Sequence, residues 1–243
     1  MNNKFDDPYI NQLSHDFDKL AEVYDSVWTT QIYDELILDH LKGNEENILE
    51  IGCGSGRLLS KLSQNASYVV GIDISKEMLK ISNRNIDNNN VSLIHESVEN
   101  INNVLDEHNF DTIVAERSIH HCLELSDITR KLSNKLRSNG RLIFFDLKST
   151  RELSHKNAYS VFLKSLYKLS VLLYGLRNQS FIASAKGLIS ERKMFQTTAW
   201  KSHIAHEPDF ATSKLNKILQ KQGFSTHRKT VNAIFELIVA NIE

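Results

Sequence analysis

The chain has 243 residues, 41% hydrophobic and 24% charged, the profile of an ordinary globular protein with one substantial core and a single elaborated domain. With 29 Lys and Arg against 30 Asp and Glu the formal charge is −1, so no global basic field recruits nucleic acid. Only 2 cysteines, no apolar leader after Met1 and no apolar run long enough to cross a bilayer predict a cytoplasmic protein without disulfides, and no Cys/His spacing resembles a zinc site, so no metal is expected.

From the N-terminus, residues 11–41 carry helical spacing. Leu13, Phe17, Leu20, Val23 and Tyr24 share one face and Tyr33, Leu36, Ile37 and Leu41 another, with Thr29-Thr30 breaking two helices and Gly43 stopping the second. Residues 1–45 thus read as a helical cover.

Ile48 to Ile51 is a short apolar run of the kind a strand buried on both faces shows, and Arg57 to Leu62 has helical spacing again. Gly52, Gly54 and Gly56 alternate with Cys53 and Ser55 between them. Glycine tolerates positive φ and lets another molecule approach the main chain, so a ligand is expected against this turn, with a carboxylate or phosphate favoured at the helix N-terminus. The next apolar run, Val69 to Ile72, ends at Asp73-Ile74, and a carboxylate at a strand end can accept from both hydroxyls of a ribose.

Ser75 is an N-cap, with Glu77 in the first turn and Met78, Leu79, Ile81 and Ile86 on the apolar face of the helix that follows. Val91 to His95 is a third strand, followed by Glu96-Ser97. Phe110 to Ala115 is a fourth, and Glu116-Arg117-Ser118-Ile119-His120-His121 leaves its carboxyl end, where open α/β sheets bind ligands. A helix closes over Leu132 to Leu136, and Gly140 precedes a fifth strand, Arg141 to Asp146. Strand and helix alternate throughout, which implies a parallel sheet with right-handed crossovers. After residue 209 the pattern gives a helix stopped by Gly223 and two strands, Phe224 to Arg228 and Ala233 to Ala240.

Several of these phrases together resemble class I S-adenosylmethionine-dependent methyltransferases. The G-x-G-x-G spacing after an acidic Glu50 is similar to that family's first motif and is one residue tighter than the dinucleotide fingerprint G-x-G-x-x-G. Asp73 fits either ligand. Phe-Asp-x-Ile-Val followed by Ile-His-His resembles the fourth motif of the small-molecule members, while Ser138-Asn139-Gly140 replaces the family's frequent Pro-Gly-Gly. The resemblance implies an α/β, Rossmann-like, seven-stranded, mostly parallel sheet with an antiparallel last strand and helices on both faces. It implies S-adenosyl-L-methionine as cofactor, with Glu50, Gly52, Cys53, Gly54 and Gly56 at its methionine part, Asp73 and Ile74 at the ribose, Glu96 and the Ser97 N–H at the adenine, and Glu116 at the reactive end. The phrase from Phe17 to Asp25 looks like the family's N-terminal cover, with Tyr24 near cofactor and acceptor.

The organisation is then a cover (1–45), a cofactor-binding core (46–148), an insert (149–208) and a completion of the sheet (209–243). The insert lies outside the resemblance. Residues 160–175 are apolar around most of a helical circumference, so they demand cover, as a lid over an acceptor pocket, a core or homodimer contact, or a membrane-surface contact. Arg117, Tyr167 and Trp200 are the candidate acceptor contacts beside Tyr24. A general base is needed only for a hydroxyl or ammonium acceptor. His121 is the first candidate, then His120, then His203 and His206 of the insert. The expected activity is methyl transfer to a small hydrophobic or aromatic acceptor. A non-methylating reaction on the same fold and a silent partner-binding subunit stay open.

Overall fold

The computed structural model describes residues 5–27, 33–43, 47–106, 109–150, 158–177 and 181–242. The expected break at Thr29-Thr30 lies outside them. Seven strands, β1 (Asn47–Ile51), β2 (Tyr68–Asp73), β3 (Val91–His95), β4 (Phe110–Glu116), β5 (Leu136–Leu147), β6 (Phe224–Thr230) and β7 (Phe235–Ile242), form one sheet in the order β3-β2-β1-β4-β5-β7-β6. β1 to β5 pair in parallel, and β7 runs antiparallel to both β5 and β6, so six strands point one way and the last is reversed.

Alternation along each strand builds two cores. Leu49, Val70, Ile113, Leu142 and Ile238 face one side, where α5 (Leu125–Lys135) and α9 (Thr212–Lys221) cover them through Ile128, Leu132, Leu215 and Leu219. Ile48, Val69, Val114, Ile143 and Leu237 face the other, under α2 (Asp34–Leu38), α3 (Arg57–Ser63), α4 (Lys76–Asn85) and α6 (Ala158–Arg177). Side chains that alternate with period two and are apolar on both faces leave such a strand no stable position except between helix layers.

The fifth strand differs from its expected bounds. Leu136 already pairs with Phe110, and the register shifts before Thr112 pairs with Arg141. Asn139 sits at φ 63 within that irregularity, a left-handed conformation that asparagine tolerates better than most residues. The turn expected at residues 138–140 is thus absorbed as a bulge in the strand. The last strand begins at Phe235 rather than Ala233, because Asn232 Oδ1 accepts from the N–H groups of Ile234 and Phe235 and turns the chain there.

α1 (Pro8–Val27) is one helix lying across the carboxyl edge of the sheet, and α7 (Phe181–Met194) and α8 (Thr198–Ala205) pack on it, Met194, Ala199 and Trp200 against Leu20, Val23 and Tyr24. The insert leaves and returns at one point. Ser149 bridges Ala211, the Thr150 N–H donates to Phe210 O at 3.0 Å, and the Phe210 N–H donates to Thr150 Oγ1 at 2.9 Å. Within it, α6 lays Tyr167 and Val171 on the sheet face, while Leu169, Leu173 and Leu176 are 52–60% exposed. The carboxyl edge of the sheet is covered by α1, with α7 and α8 packed on its outside. No helix among the described residues is long and apolar enough to cross a membrane.

Candidate active site

The turn after β1 is tied over β2, since the Gly52 and Cys53 N–H groups both donate to Ile72 O, at 2.8 and 3.1 Å. Gly52 has φ 67, and a Cβ there would stand 2.4 Å from Ser118 Cβ, so only glycine lets the loop after β4 lie against the turn. Gly54, at φ 54, is glycine for another reason. A Cβ there would meet nothing within 4 Å, and the residue lines the pocket.

Asp73 fixes the turn from below. Its Oδ2 accepts from the Gly54 N–H and its Oδ1 from the Ser75 N–H, each at 2.8 Å. Burial lifts its carboxyl to about 6, against the pull of those two N–H groups and with a further push from Asp18. Each oxygen keeps a second lone pair, which fits a ribose diol. α1 is bolted to the same loop: Ser14 Oγ donates to Ile74 O at 2.8 Å, and Asp18 Oδ1 accepts from Ser75 Oγ at 2.7 Å and from the Glu77 N–H at 3.1 Å.

These groups wall an open pocket of about 710 Å³, counting its mouth. Ile10, Leu13, Phe17 and Tyr24 of α1 roof it. Gly52, Gly54, Asp73 and Ile74 form its floor, Glu96, Ser97, Val98 and Glu99 one end, and Glu116, Arg117, Ser118 and His121 the other. The Ser97 N–H donates to Glu96 Oε1 at 2.8 Å, so both halves of the expected adenine contact satisfy each other here. Glu99, which the sequence reading passed over, lines the same end and carries a buried Oε1 with no partner.

Behind the floor lies a set of buried charges. Arg57 reaches both Asp34 and Glu116, and Arg117 Nη2 stands 3.0 Å from Glu116 Oε1. Burial, then the Glu116 charge, pushes Glu50 well above the carboxylate range, and its Oε2 has no partner. Arg117 takes φ 52, with its N–H donating to Phe145 O at 2.7 Å. A large side chain held in the left-handed region is a strain of the sort that collects at functional sites.

The histidines form the far corner. His121 lines the pocket, its ring 5.5 Å from Phe17, 4.8 Å from His203 and 3.8 Å from His120. Burial, then the neighbouring His120 and His203, hold it well below an ordinary imidazole, and its Nδ1 is buried without a partner. Burial and His120 bring His203 down to about 3. His120 lies one layer back, Nδ1 2.6 Å from Asp146 Oδ1 and Nε2 3.3 Å from Glu207 Oε1. Burial opposes its charged form, but Asp146 and then Glu207 outweigh it and raise it.

Of the cofactor set, Gly52, Gly54, Asp73, Ile74, Glu96, Ser97 and Glu116 line the pocket, whereas Glu50, Cys53 and Gly56 stand behind its wall. Tyr24, Arg117 and His121 line it too. Trp200 is not among the lining residues; its ring lies tilted 5.1 Å from that of His203. Tyr167 packs against Phe235 on a different face of the sheet, and His206 is exposed at the end of α8. Beyond the residues named from sequence, the structure adds Phe17, Ser118, Asp146 and Glu207. No local motif marks the last two, which meet His120 only through the fold.

Residues 49–144 match the family model described as methyltransferase domain. A protein of Schizosaccharomyces pombe named an uncharacterized methyltransferase is 28% identical over 181 residues, 71% of this chain and 62% of that one. The mitochondrial ubiquinone biosynthesis O-methyltransferase of Dictyostelium discoideum is 28% identical over 134 residues, 49% of this chain and 42% of that one. The chain spans about two to three fifths of the length of the curated relatives it matches. Among solved structures, a SAM-dependent methyltransferase from Aquifex aeolicus superposes with a TM-score of 0.59 at 14% identity, over 91% of this chain and 97% of that one, and the DhpI–SAH complex with 0.61 at 14% over 96% of each. Residues 49–144 thus match a methyltransferase domain, and the seven-stranded sheet as a whole has the fold of the solved methyltransferases. The fold is the Rossmann-like fold of those solved methyltransferases.

Proposed function

We propose that the chain transfers a methyl group from S-adenosylmethionine to a hydroxyl of a small aromatic or otherwise apolar acceptor. One observation carries this reading: a single pocket joins the glycine turn and Asp73 at its floor to a neutral, unpartnered imidazole in an aromatic corner. Bound S-adenosylmethionine supplies an electrophilic methyl on a sulfonium, released by in-line displacement. The chain's own part is to orient and to exclude water. Asp73 holds the ribose side, Ile10, Leu13 and Phe17 shut the roof, and His121 takes the proton that the acceptor oxygen gives up as its lone pair bonds to the methyl carbon. The Dictyostelium relative is by name an O-methyltransferase, which agrees with an oxygen acceptor. The near-neutral charge argues against nucleic acid, whose phosphates call for a basic groove.

Calorimetry with S-adenosylhomocysteine, followed by incubation with methyl-labelled cofactor and a panel of phenols, tests the proposal. Cofactor binding with label on a phenolic oxygen is expected. Tight binding with no label on any acceptor would favour the non-methylating or partner-binding alternatives. Label on nitrogen, sulfur or RNA would overturn the acceptor class.

A further inference from the structure

Four side chains converge at the acceptor end of the pocket that cofactor binding does not require. His120 and His121 come from the 3-10 turn after β4, Asp146 from the end of β5, and Glu207 from the chain just beyond α8. One donor atom each of His120, His121 and Glu207 lies within 4.8 Å of the others. We propose that these three residues bind a divalent transition-metal ion of the zinc class, with Asp146 orienting His120 from behind.

Several independent features support the site. A metal-bound imidazole nearly always gives its second N–H to a carboxylate, and Asp146 Oδ1 stands 2.6 Å from His120 Nδ1, leaving Nε2 as the ligand atom. Two atoms bound to one ion at about 2.0–2.1 Å with tetrahedral angles are about 3.3 Å apart. The His120 Nε2 to Glu207 Oε1 separation is already 3.3 Å, and the wider separations, up to 4.8 Å, close by side-chain torsion. Asp146 and Glu207 bring two carboxyl groups into a largely buried corner beside the imidazoles, one as ligand and one as its orienting partner. His121 keeps a buried Nδ1 with no partner, as does His203, whose ring centroid stands 4.8 Å from that of His121. Two imidazoles with one carboxylate select zinc, cobalt or nickel over magnesium or calcium. His121 also lines the pocket, which gives the ion a route in and leaves a coordination position facing the acceptor. With the ion bound His121 is a ligand and no longer the base; that an acceptor hydroxyl takes this position and is ionised by the metal in its place rests on the acceptor class proposed above. Ion binding does not.

The test therefore uses untagged full-length protein without cofactor or acceptor. After chelator treatment it is titrated with zinc and with cobalt, reading calorimetric stoichiometry and the visible absorption of cobalt, with magnesium as the control. One equivalent bound, with a tetrahedral or five-coordinate cobalt spectrum, is expected. Glu207→Gln and His121→Gln should each weaken zinc at least tenfold, and Asp146→Asn by about 10–100-fold, as for other outer-shell partners. S-adenosylhomocysteine binding by Glu207→Gln should persist and shows that the variant is folded. If it is not, the wild-type titration decides alone. No stoichiometric zinc or cobalt, or undiminished affinity in both ligand variants, would overturn the site and leave His120 an imidazolium between two carboxylates. Failure of methyl transfer with metal bound would instead count against the proposed function.

Discussion

Asp73 has two duties that pH separates. Folding favours its protonated form, since its carboxyl is raised to about 6, so its contribution to stability is complete below the ordinary carboxylate value and is lost as pH climbs through 6. Ribose hydroxyls donate to the charged form. Affinity for S-adenosylhomocysteine should therefore fall as pH drops through about 6, and calorimetry across that range should show proton release on binding below it. Asp73→Ala should weaken binding by roughly 2–4 kcal/mol, the scale of two hydrogen bonds to a charged acceptor. The neighbouring glycines should part company. Gly52→Ala drives a methyl into Ser118 and should lower thermal stability, whereas Gly54→Ala meets open space, costs about 1–2 kcal/mol of left-handed strain, and should lose cofactor affinity out of proportion to its stability.

At the scale of elements, what could be read from the sequence was whatever a short stretch decides. The apolar runs from Ile48 and Val69, the glycines between strand and helix, and Asp73 at a strand end each carry their meaning within a few residues, and the structure sets them around one pocket. The floor was legible and the corner was not. His120 meets Asp146 and Glu207 only after β4 and β5 pair and the insert returns to the sheet, so no spacing along the chain could announce the cluster. The Glu96 contact was obscured for a different reason, since its nearest donor is its own neighbour's N–H. α1 also hides one task behind an ordinary amphipathic pattern: Ser14 and Asp18 pin the loop after β2. Asp18→Asn should weaken S-adenosylhomocysteine by about 1–2 kcal/mol and shift the acid limb of binding to lower pH, because a charge that raises the Asp73 carboxyl is gone. An unshifted limb would separate Asp18 from that role.

Across the whole molecule, one aromatic stack joins all four parts of the chain. Phe235 of β7 stacks on Phe145 of β5 at 5.1 Å, Tyr33 ahead of α2 stacks on Phe145 at 5.2 Å, and Tyr167 of α6 meets Phe235 edge-on at 5.7 Å. Cover, core, insert and C-terminal hairpin thus share one packing unit. Phe235→Ala should cost about 3–5 kcal/mol and, at about 2–4 °C per kcal/mol for a chain of this size, lower the unfolding midpoint by about 6–20 °C in a single transition. Two separated transitions in calorimetry would mean that the insert unfolds on its own.

On the function proposed above, the neck where Ser149 meets Ala211 makes the acceptor side exchangeable. Because both ends of the insert leave the sheet at adjacent points, already stitched by Thr150 and Phe210, a longer, shorter or foreign segment that still covers Phe235 as Tyr167 does can be grafted there without moving the strand ends. The entropic cost of such a graft grows only with the logarithm of its length, about 0.6 kcal/mol per doubling. A lineage carrying this scaffold could replace its substrate preference wholesale while inheriting its cofactor floor unchanged, and a protein engineer could do the same in one step.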